Sequence, residues 1–409
     1  MYTETNNTLD AALGFHYPLD FLIGETLDLR THDDQGNLSR DERFCDATRD
    51  YFKGLLEIVR DLCEARDEHS PLARSLFGDT VRDFGVDYHR RWPQAAFQPP
   101  RFFRTDEPEL GKISEIQCPG SQWGELLILA KTIEPTLYDQ HITRFGQGLH
   151  QLSAAPKIHH LLDNASRPQL MQAFIHCLRS ELKVPCYGFD PFHHMEANVV
   201  RSHSFNGLAA QNVFARRLHM AEAGKISFDY PATPVFDQKI GMALVFHRQT
   251  RHYFSDNTRD HIIPTYLINA DLSIEGLDAA KSLDEVFALP RPKRSYYLKY
   301  AGQDTNRNWG SMAVRHLSSC SQTMLSELRQ GVAVDSATGR SPWILQQDCS
   351  SKRTVREYDQ DTGELRAPAE RYAKYSTFIG PAGLVGRLIN FRSVKTVHGQ
   401  PDTVFCLGR

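Results

Sequence analysis

The stretch WPQAAFQPPRFFRTDEPELGKISEIQCPGS constrains the fold more than any other segment of this chain. Its prolines break helices and hold the preceding residues in extended conformations, and polar residues alternate along it. We predict two short strands joined by a turn at Glu109–Lys112. Because alternate residues of a strand share a face, Arg104 lies with Asp106, and Glu115 lies with Gln117.

If the two strands pair, two carboxylates, an amide oxygen and a guanidinium converge on one spot. Oxygen ligands of this kind suit Mg²⁺, which proteins commonly hold by one or two carboxylates while phosphates and water fill the other positions. The spacing therefore predicts a magnesium site formed by Asp106, Glu115 and Gln117. The same spacing is compatible with a half-exposed hairpin that carries ordinary salt bridges.

The rest of the chain predicts an α+β fold with mixed antiparallel sheets flanked by helices. Apolar residues recur at helical spacing over 40–85 and indicate an N-terminal helical layer. Over 150–290, helical patterns alternate with short apolar runs, and strands punctuated by Gly and Pro follow near the end. We divide the sequence into regions 1–99, 100–290 and 291–409.

Composition narrows the class of protein. The 409 residues are 41% hydrophobic and 24% charged, which excludes a disordered chain, and the net charge of −3 argues against a general binder of nucleic acid or anionic membranes. The sequence has neither a run of roughly 18 apolar residues nor a secretory signal pattern. We therefore expect a cytoplasmic protein without a nucleic-acid or membrane partner. Eight scattered cysteines without a CxxC pair indicate reduced thiols.

A lysine ahead of a glycine-containing loop is the second feature with chemical meaning. The strand that carries Lys299 runs into AGQDTNRNWGS, which contains Gly302, Arg307, Gly310 and Ser311. Backbone N–H groups of such a loop can hold nucleotide phosphates. The sequence contains neither GxxxxGK[ST] nor GxGxxG, so Walker-type and Rossmann-type binding are not predicted. An ordinary turn is the alternative interpretation.

Two segments near the end complete the pattern. WILQQ at 343–347 is typical of a short apolar strand. The segment 350–374 alternates in charge and contains a DTGE turn, so we predict a solvated hairpin without catalytic residues.

Taken in this order, five strings resemble the circularly permuted ATP-grasp ligases of the glutathionylspermidine and trypanothione synthetase type. Those enzymes carry an Arg-x-Asp strand and a Glu-x-Asn strand well ahead of a lysine-containing phosphate loop, an adenine strand and a glycine-rich strand that ends in Arg. The matching strings are RTD at 104–106, EIQCPGS at 115–121, LKYAGQDTNRNWGS at 298–311, WILQQ at 343–347 and STFIGPAGLVGR at 376–387.

The resemblance implies an ATP-dependent carboxylate–amine ligase that forms an amide bond through an acyl phosphate. ATP and Mg²⁺ would be its cofactors, and a small amino-acid-like acid and an amine or amino acid its substrates. In this ATP-grasp-like architecture, region 100–290 would hold metal and substrates, and region 291–409 would bind the nucleotide. The implied metal ligands are Asp106, Glu115 and Gln117; the implied catalytic arginines are Arg104, Arg307 and Arg387; the nucleotide contacts are Lys299, Gly302, Gly310, Ser311, Gln346 and Gln347; and the substrate contacts are Ser121 and Glu125.

Two positions depart from the family pattern. Gln117 stands where the family has Asn, and its extra methylene moves the amide oxygen outward. A second nucleotide-binding lysine has no clear counterpart, with Lys281 and Lys293 as the candidates. Two other functions remain open. One is a phosphotransferase that uses the same nucleotide site. The other, which these departures favour, is a non-catalytic binding protein that has kept the fold without the metal site.

Overall fold

The computed structural model describes residues 22–29, 40–78, 81–117, 123–160, 168–187, 197–201, 205–210, 213–302, 304, 307, 313–337, 342–359, 362–395 and 402–409. The strands are β1 (Leu22–Ile23), β2 (Phe103–Glu107), β3 (Glu115–Gln117), β4 (Ile158–His160), β5 (Cys186–Tyr187), β6 (Val199–Arg201), β7 (Ser227–Phe228), β8 (Thr265–Ile268), β9 (Tyr296–Tyr300), β10 (Val314–His316), β11 (Trp343–Gln347), β12 (Lys352–Val355), β13 (Ala369–Gly380), β14 (Gly383–Arg392) and β15 (Val404–Gly408). The α-helices are α1 (Arg40–Ala65), α2 (Pro71–Phe77), α3 (Val81–Phe84), α4 (Val86–Arg91), α5 (Pro93–Ala96), α6 (Trp123–Ile133), α7 (Pro135–Leu152), α8 (Pro168–Ser180), α9 (Phe205–Ala209), α10 (Phe214–Glu222), α11 (Ile240–Leu244), α12 (Asp256–His261), α13 (Leu283–Ala288) and α14 (Gln322–Ser336).

The largest sheet has the strand order β1-β15-β14-β13-β2-β3, and β12 pairs with the first part of β13. Strands β1 and β15 run parallel, and the other pairs are antiparallel. The long strands β13 and β14 form its central hairpin. Gly383 closes the turn at φ 105°, a backbone conformation that side chains disfavour. This sheet carries the predicted polar strands β2 and β3.

Two smaller sheets complete the fold. Strands β10-β9-β11-β8 form an antiparallel sheet, and β5-β4-β6-β7 form a parallel one. The parallel sheet lies in the stretch where helical patterns alternate with short apolar runs, as expected for strands joined by helical crossovers. The predicted combination of helices with mixed sheets is confirmed. The antiparallel sheet takes β8 from region 100–290 and its other strands from region 291–409.

Helices cover both faces of the large sheet, and strand alternation decides which side chains meet them. On one face, Phe52 of α1 contacts Phe103 of β2, with ring centroids 4.8 Å apart. On the other face, Trp123 of α6 contacts Phe378 of β13, with centroids 5.0 Å apart. Helix α1 forms where the sequence has its apolar stripe, and Asp41 lies in its first turn, where a negative charge complements the helix dipole.

The described part of the chain bears on the expectations about membrane-spanning segments and cysteines. No helix there is long and apolar enough to span a bilayer. The seven cysteines among these residues are free thiols, and all but Cys349 are buried.

The Phe52 side chain offers a direct test of how α1 is anchored. Phe52 is buried and packs edge-on against Phe103 and against Phe236, 5.2 Å away between centroids. Phe52→Ala should therefore lower the free energy of unfolding by about 3–5 kcal/mol in urea titrations, because it leaves a cavity between helix and sheet. The neighbouring exposed Lys53→Ala should change it by less than about 0.5 kcal/mol. Equal effects at both positions would mean that α1 does not pack on the sheet in this way.

Candidate functional site

The predicted strand–turn–strand forms the edge of the large sheet. Strands β2 and β3 pair antiparallel, with Asp106 opposite Glu115 and Arg104 opposite Gln117. Directly opposed residues of an antiparallel pair share a face. The four side chains singled out from the sequence therefore lie together.

Asp106 is buried among hydrogen-bond donors from two strands. Its Oδ1 lies 2.9 Å from Arg104 Nε and accepts a hydrogen bond from Ser376 Oγ at 3.0 Å. Its Oδ2 accepts from Lys374 Nζ at 3.0 Å. Burial alone would raise the pKa of Asp106, but Arg104 and Lys374 outweigh it and hold the pKa well below its usual value. The carboxylate is ionised at neutral pH.

Glu115 is the more accessible carboxylate, with 25% of its side chain exposed. Its Oε1 lies 3.2 Å from the Nζ of Lys239, and Lys239 is the residue that directly precedes α11. Burial raises the pKa of Glu115. The charges of Lys239 and Lys299 lower this pKa, and the net shift is downward. Gln117 is tied to the arginine instead, since its Oε1 accepts from Arg104 Nη2 at 2.6 Å.

Lys299 reaches this edge from the small antiparallel sheet. It is 8% exposed, and its Nζ donates to Gln346 Oε1 at 2.6 Å. The Gln346 amide in turn donates to Thr265 Oγ1 at 2.9 Å and to the Ser114 carbonyl at 3.1 Å. Ser114 directly precedes Glu115, so this glutamine links the small sheet to the hairpin.

Six charged side chains therefore meet where the two sheets join. Burial lowers the pKa of Lys299 to about 8, and the charge of Lys239 lowers it as well. The carboxylates of Glu115 and Asp106 raise this pKa but do not outweigh burial. We call this group the acid–lysine cluster; its members are Asp106, Glu115, Arg104, Lys239, Lys299 and Lys374. Among the described residues, four cations face two carboxylates at this place, a balance of charge suited to a polyanion.

Two lysines of the cluster, Lys374 and Lys239, were not predicted from the sequence. Lys374 lies at the end of the segment 350–374, where β12 and β13 pair antiparallel as the predicted hairpin requires. Strand β13 then continues beside β2 and places Lys374 on Asp106. The signal was the spacing of Lys374 and Ser376, which puts both on one face of β13. Lys239 carries no such signal, because it comes from a helix start far away in sequence.

Two residues predicted to contact the nucleotide or its phosphates lie away from the acid–lysine cluster. Gln347 is exposed and follows Gln346, so strand alternation turns it to the opposite face. Arg307 donates to both carboxylate oxygens of Asp335, at 3.0 and 2.5 Å, and its guanidinium lies 4.2 Å from the centre of the Tyr300 ring. Tyr300 follows Lys299 on β9 and therefore points to the other side of the sheet.

Arg387 is separated from the cluster for the same reason. It pairs across the sheet with Thr377, whereas Asp106 pairs with Ser376. Neighbouring residues of β13 point to opposite faces, so Arg387 lies on the face covered by α1. There it forms a salt bridge with Asp41 and donates to Thr377 Oγ1 at 3.3 Å.

The remaining predicted residues are placed only in part. Ser121, Gly310 and Ser311 lie outside the described residues. Glu125 lies within α6, but its side chain is not among those described. Gly302 lies against Tyr300, where a Cβ would overlap the tyrosine hydroxyl, so the close approach itself accounts for a glycine at this position.

Comparisons with known proteins bear on the fold. No family model matches the chain, and no curated protein matches it. Among solved structures it is similar to an apo glutathione synthetase-like effector from Globodera pallida, with a TM-score of 0.51 and 10% identity over 100% of this chain and 96% of that one. It is also similar to a putative gamma-glutamylcysteine synthetase from Methylobacillus flagellatus, with a TM-score of 0.42 and 11% identity over 85% of each chain. The first comparison shows that the chain shares the overall fold of that effector.

The lowered pKa of Lys299 predicts a distinct dependence of stability on pH. The unfolded lysine binds its proton up to about pH 10.5 and the folded one only to about pH 8, so folding releases a proton between these values. The free energy of unfolding of the wild type, relative to Lys299→Met, should therefore rise with pH across this window, by on the order of 1 kcal/mol per pH unit. Urea titrations at pH 7, 8, 9 and 10 measure it. A difference independent of pH would contradict the burial of a charged Lys299.

Proposed function

We propose that the protein is an ATP-dependent carboxylate–amine ligase, which joins a small amino-acid-like acid to an amine or amino acid through an acyl phosphate. The observation that carries the proposal is the meeting of the acidic hairpin with buried Lys299, 193 residues after Asp106, at the junction of two sheets. The balance of charge in the acid–lysine cluster supports binding of a triphosphate. Among proteins that bind a triphosphate, the ligase is supported by the order of the motifs, with the acidic hairpin ahead of the lysine loop.

The donor set of the cluster fits Mg²⁺ that is held jointly with a nucleotide. Asp106 has both oxygens engaged by cations and a hydroxyl, whereas the second oxygen of Glu115 has no partner among the described residues. The described residues as a whole contain no group of three or more acidic, His or Cys side chains that could hold a metal by themselves. Two carboxylates supplemented by phosphate oxygens are the usual protein arrangement for Mg²⁺. Glu115 and Asp106 would hold it, with Gln117 able to join after release from Arg104.

The chemistry requires activation of a carboxylate, because oxide is a poor leaving group. The acid attacks the γ-phosphate of ATP, ADP leaves, and the amine displaces phosphate from the acyl phosphate. Bound Mg²⁺ would neutralise charge on the phosphate oxygens. Lys299, Lys239 and Lys374 bind and orient the phosphates, and their charges oppose the build-up of negative charge during transfer. Arg104 keeps Asp106 ionised and fixed on the strand.

The placement of the other arginines narrows the proposal. Arg104 is the only arginine of the predicted trio within the cluster; Arg307 and Arg387 are bound to Asp335 and Asp41 on other faces of the sheets. The proposal assigns the catalytic electrostatics to Arg104 and the three lysines. Arg307 then stabilises the small sheet, and Arg387 anchors the start of α1.

The joint metal site predicts that Mg²⁺ and nucleotide stabilise the protein together. Mg²⁺ alone should leave the thermal midpoint unchanged, since Asp106 and Glu115 are already paired with cations. Mg²⁺ with the β,γ-imido analogue of ATP should raise stability by roughly 2.7 kcal/mol at 100 times the dissociation constant, measured by thermal unfolding. Glu115→Gln should remove the Mg²⁺-dependent part of that gain. Equal stabilisation by Mg²⁺ alone would indicate a resident metal site instead.

Turnover tests the reaction itself. Purified protein with Mg·ATP and pools of acids and amines should release ADP and phosphate only when an acid and an amine are both present. Glu115→Gln should lower kcat at least about 100-fold, whereas the exposed Glu109→Gln on the same hairpin should not. Glu115 is preferred over Asp106 for this test. Removing the buried Asp106 charge would leave Arg104 and Lys374 without their anionic partner and would destabilise the fold.

Two results would replace the ligase with another function. Accumulation of a phosphorylated small molecule in the absence of an amine would indicate a phosphotransferase. Binding of Mg·ATP without turnover in any acid and amine combination would indicate a non-catalytic nucleotide-binding protein.

A further inference from the structure

Ser318, His316 and Asp348 form a hydrogen-bonded chain at one end of the small antiparallel sheet. His316 ends β10, Ser318 lies in the 3₁₀ turn Leu317–Ser319 that follows, and Asp348 comes directly after β11. The Nδ1 atom of His316 lies 2.8 Å from Ser318 Oγ, and its Nε2 atom lies 2.9 Å from Asp348 Oδ2. A hydroxyl, an imidazole and a carboxylate in this order of contact can act as a nucleophile, its base and the group that orients the base.

The Asp348 carboxylate decides which nitrogen of His316 can act as the base. Its side chain is 4% exposed, and it accepts hydrogen bonds from Lys395 Nζ at 2.5 Å and from the Ser350 backbone N–H at 2.8 Å. Burial raises the pKa of Asp348, but the hydrogen bonds from these groups and from His316 outweigh it, and the net shift is downward. An ionised carboxylate can only accept. In the neutral imidazole the proton therefore lies on Nε2, and Nδ1 accepts from the Ser318 hydroxyl.

The base is buried, whereas the serine reaches the surface. The His316 side chain is 9% exposed, and the Tyr297 ring packs against it with centroids 4.8 Å apart. Ser318 is half-buried, and Ser319 beside it is exposed. An imidazole that is bonded at both nitrogens and covered by a ring keeps its orientation, so the path of the proton from Oγ to Nδ1 is fixed.

An arginine lies beside the serine. The Nε of Arg291 donates to the Ser318 carbonyl oxygen at 2.6 Å, and its Nη2 lies 3.4 Å from the Ser319 carbonyl oxygen. Arg291 is exposed. A guanidinium at this place can donate to the oxyanion that forms when Ser318 attacks a carbonyl group.

We infer that Ser318 is the nucleophile of an esterase site for small acyl esters, with His316 as its general base and Asp348 as the positioning residue for His316. Ser318 Oγ bonds to the acyl carbon while its proton moves to His316 Nδ1. The bond to the alcohol oxygen then breaks, and this oxygen takes the proton from Nδ1. Water next attacks the acyl-serine, its proton passes through Nδ1 to Oγ, and the acid is released.

The oxyanion site favours an ester over an amide. A single guanidinium stabilises an oxyanion less than several donors that converge on it. The alcohol of an ester leaves more readily than the amine of an amide, so the weaker site suffices for an ester. Ester hydrolysis consumes only water and uses no member of the acid–lysine cluster. It can therefore succeed or fail independently of the proposed ligase.

Hydrolysis of p-nitrophenyl acetate by the full chain, without nucleotide or Mg²⁺, tests the inference. The wild type should release p-nitrophenol at a rate that saturates with the ester, and Ser318→Ala should lower kcat/KM at least about 100-fold. Ser319→Ala removes the exposed hydroxyl of the next residue and should leave kcat/KM unchanged. Asp348→Asn should lower kcat at least about tenfold without a change in KM, because the new amide can donate to Nε2 and leave the proton on Nδ1.

Covalent labelling provides a measurement that needs no variant. A fluorophosphonate should modify the wild type, and peptide mass spectrometry should place the phosphonyl group on Ser318. Modification of another residue, or of none, would overturn the inference. Equal turnover by the wild type and by Ser318→Ala at the same thermal midpoint would overturn it as well.

Discussion

The ionised Asp106 carboxylate is the constraint on which the rest of the candidate site depends. A buried carboxylate is tolerated only when cations and hydrogen-bond donors compensate it, and here these come from β2 and β13. The pairing of Asp106 with Ser376 sets the register of the two strands. A slip by one residue would turn Asp106 to the face beneath α1, away from Lys374 and Ser376, and the cost of burying the carboxylate without these partners makes the register specific.

Gln346 extends this constraint to the small sheet. Its amide oxygen accepts from Lys299, and its amide nitrogen donates to Thr265 and to the backbone carbonyl of Ser114. All three bonds are made by a side chain that is 1% exposed. Each broken bond would leave a buried polar group unsatisfied, so the small sheet is held at a defined position beside the hairpin. Lys299 thereby reaches the carboxylates despite the length of chain between them.

The sequence was informative where local chemistry decides the outcome. Alternation and turn residues predicted the hairpin of Arg104, Asp106 and Glu115, and the strand that carries Gln346. Strand parity and distant partners decided the rest. Arg387 lies on the opposite face of the large sheet from Asp106. Gln347 lies on the opposite face of the small sheet from Lys299. Such assignments need a register, which spacing within one segment does not supply.

Non-local contacts set a second limit on prediction. Lys239 meets Glu115 only because α11 packs near the hairpin, and nothing beside it in sequence marks it. Arg307 looked like part of a phosphate loop, yet Asp335 and Tyr300 hold it on the opposite side of its sheet. A cation in a glycine-containing loop has many possible partners, and tertiary packing selects among them.

The pairing of carboxylates with lysines has a consequence for the proposed ligand. In the proposed function, Mg²⁺ reaches Asp106 only if Lys374 gives up its present partner, and it competes with Lys239 for the charge of Glu115, so each lysine would then need another anion. The phosphates of a nucleotide supply those anions, while Mg²⁺ replaces the positive charge beside the carboxylates. Each ligand thus removes a cost of binding the other, and by reciprocity the factor by which ATP strengthens Mg²⁺ binding equals the factor by which Mg²⁺ strengthens ATP binding. In the proposed function, the cluster therefore binds Mg²⁺ and the nucleotide as one unit.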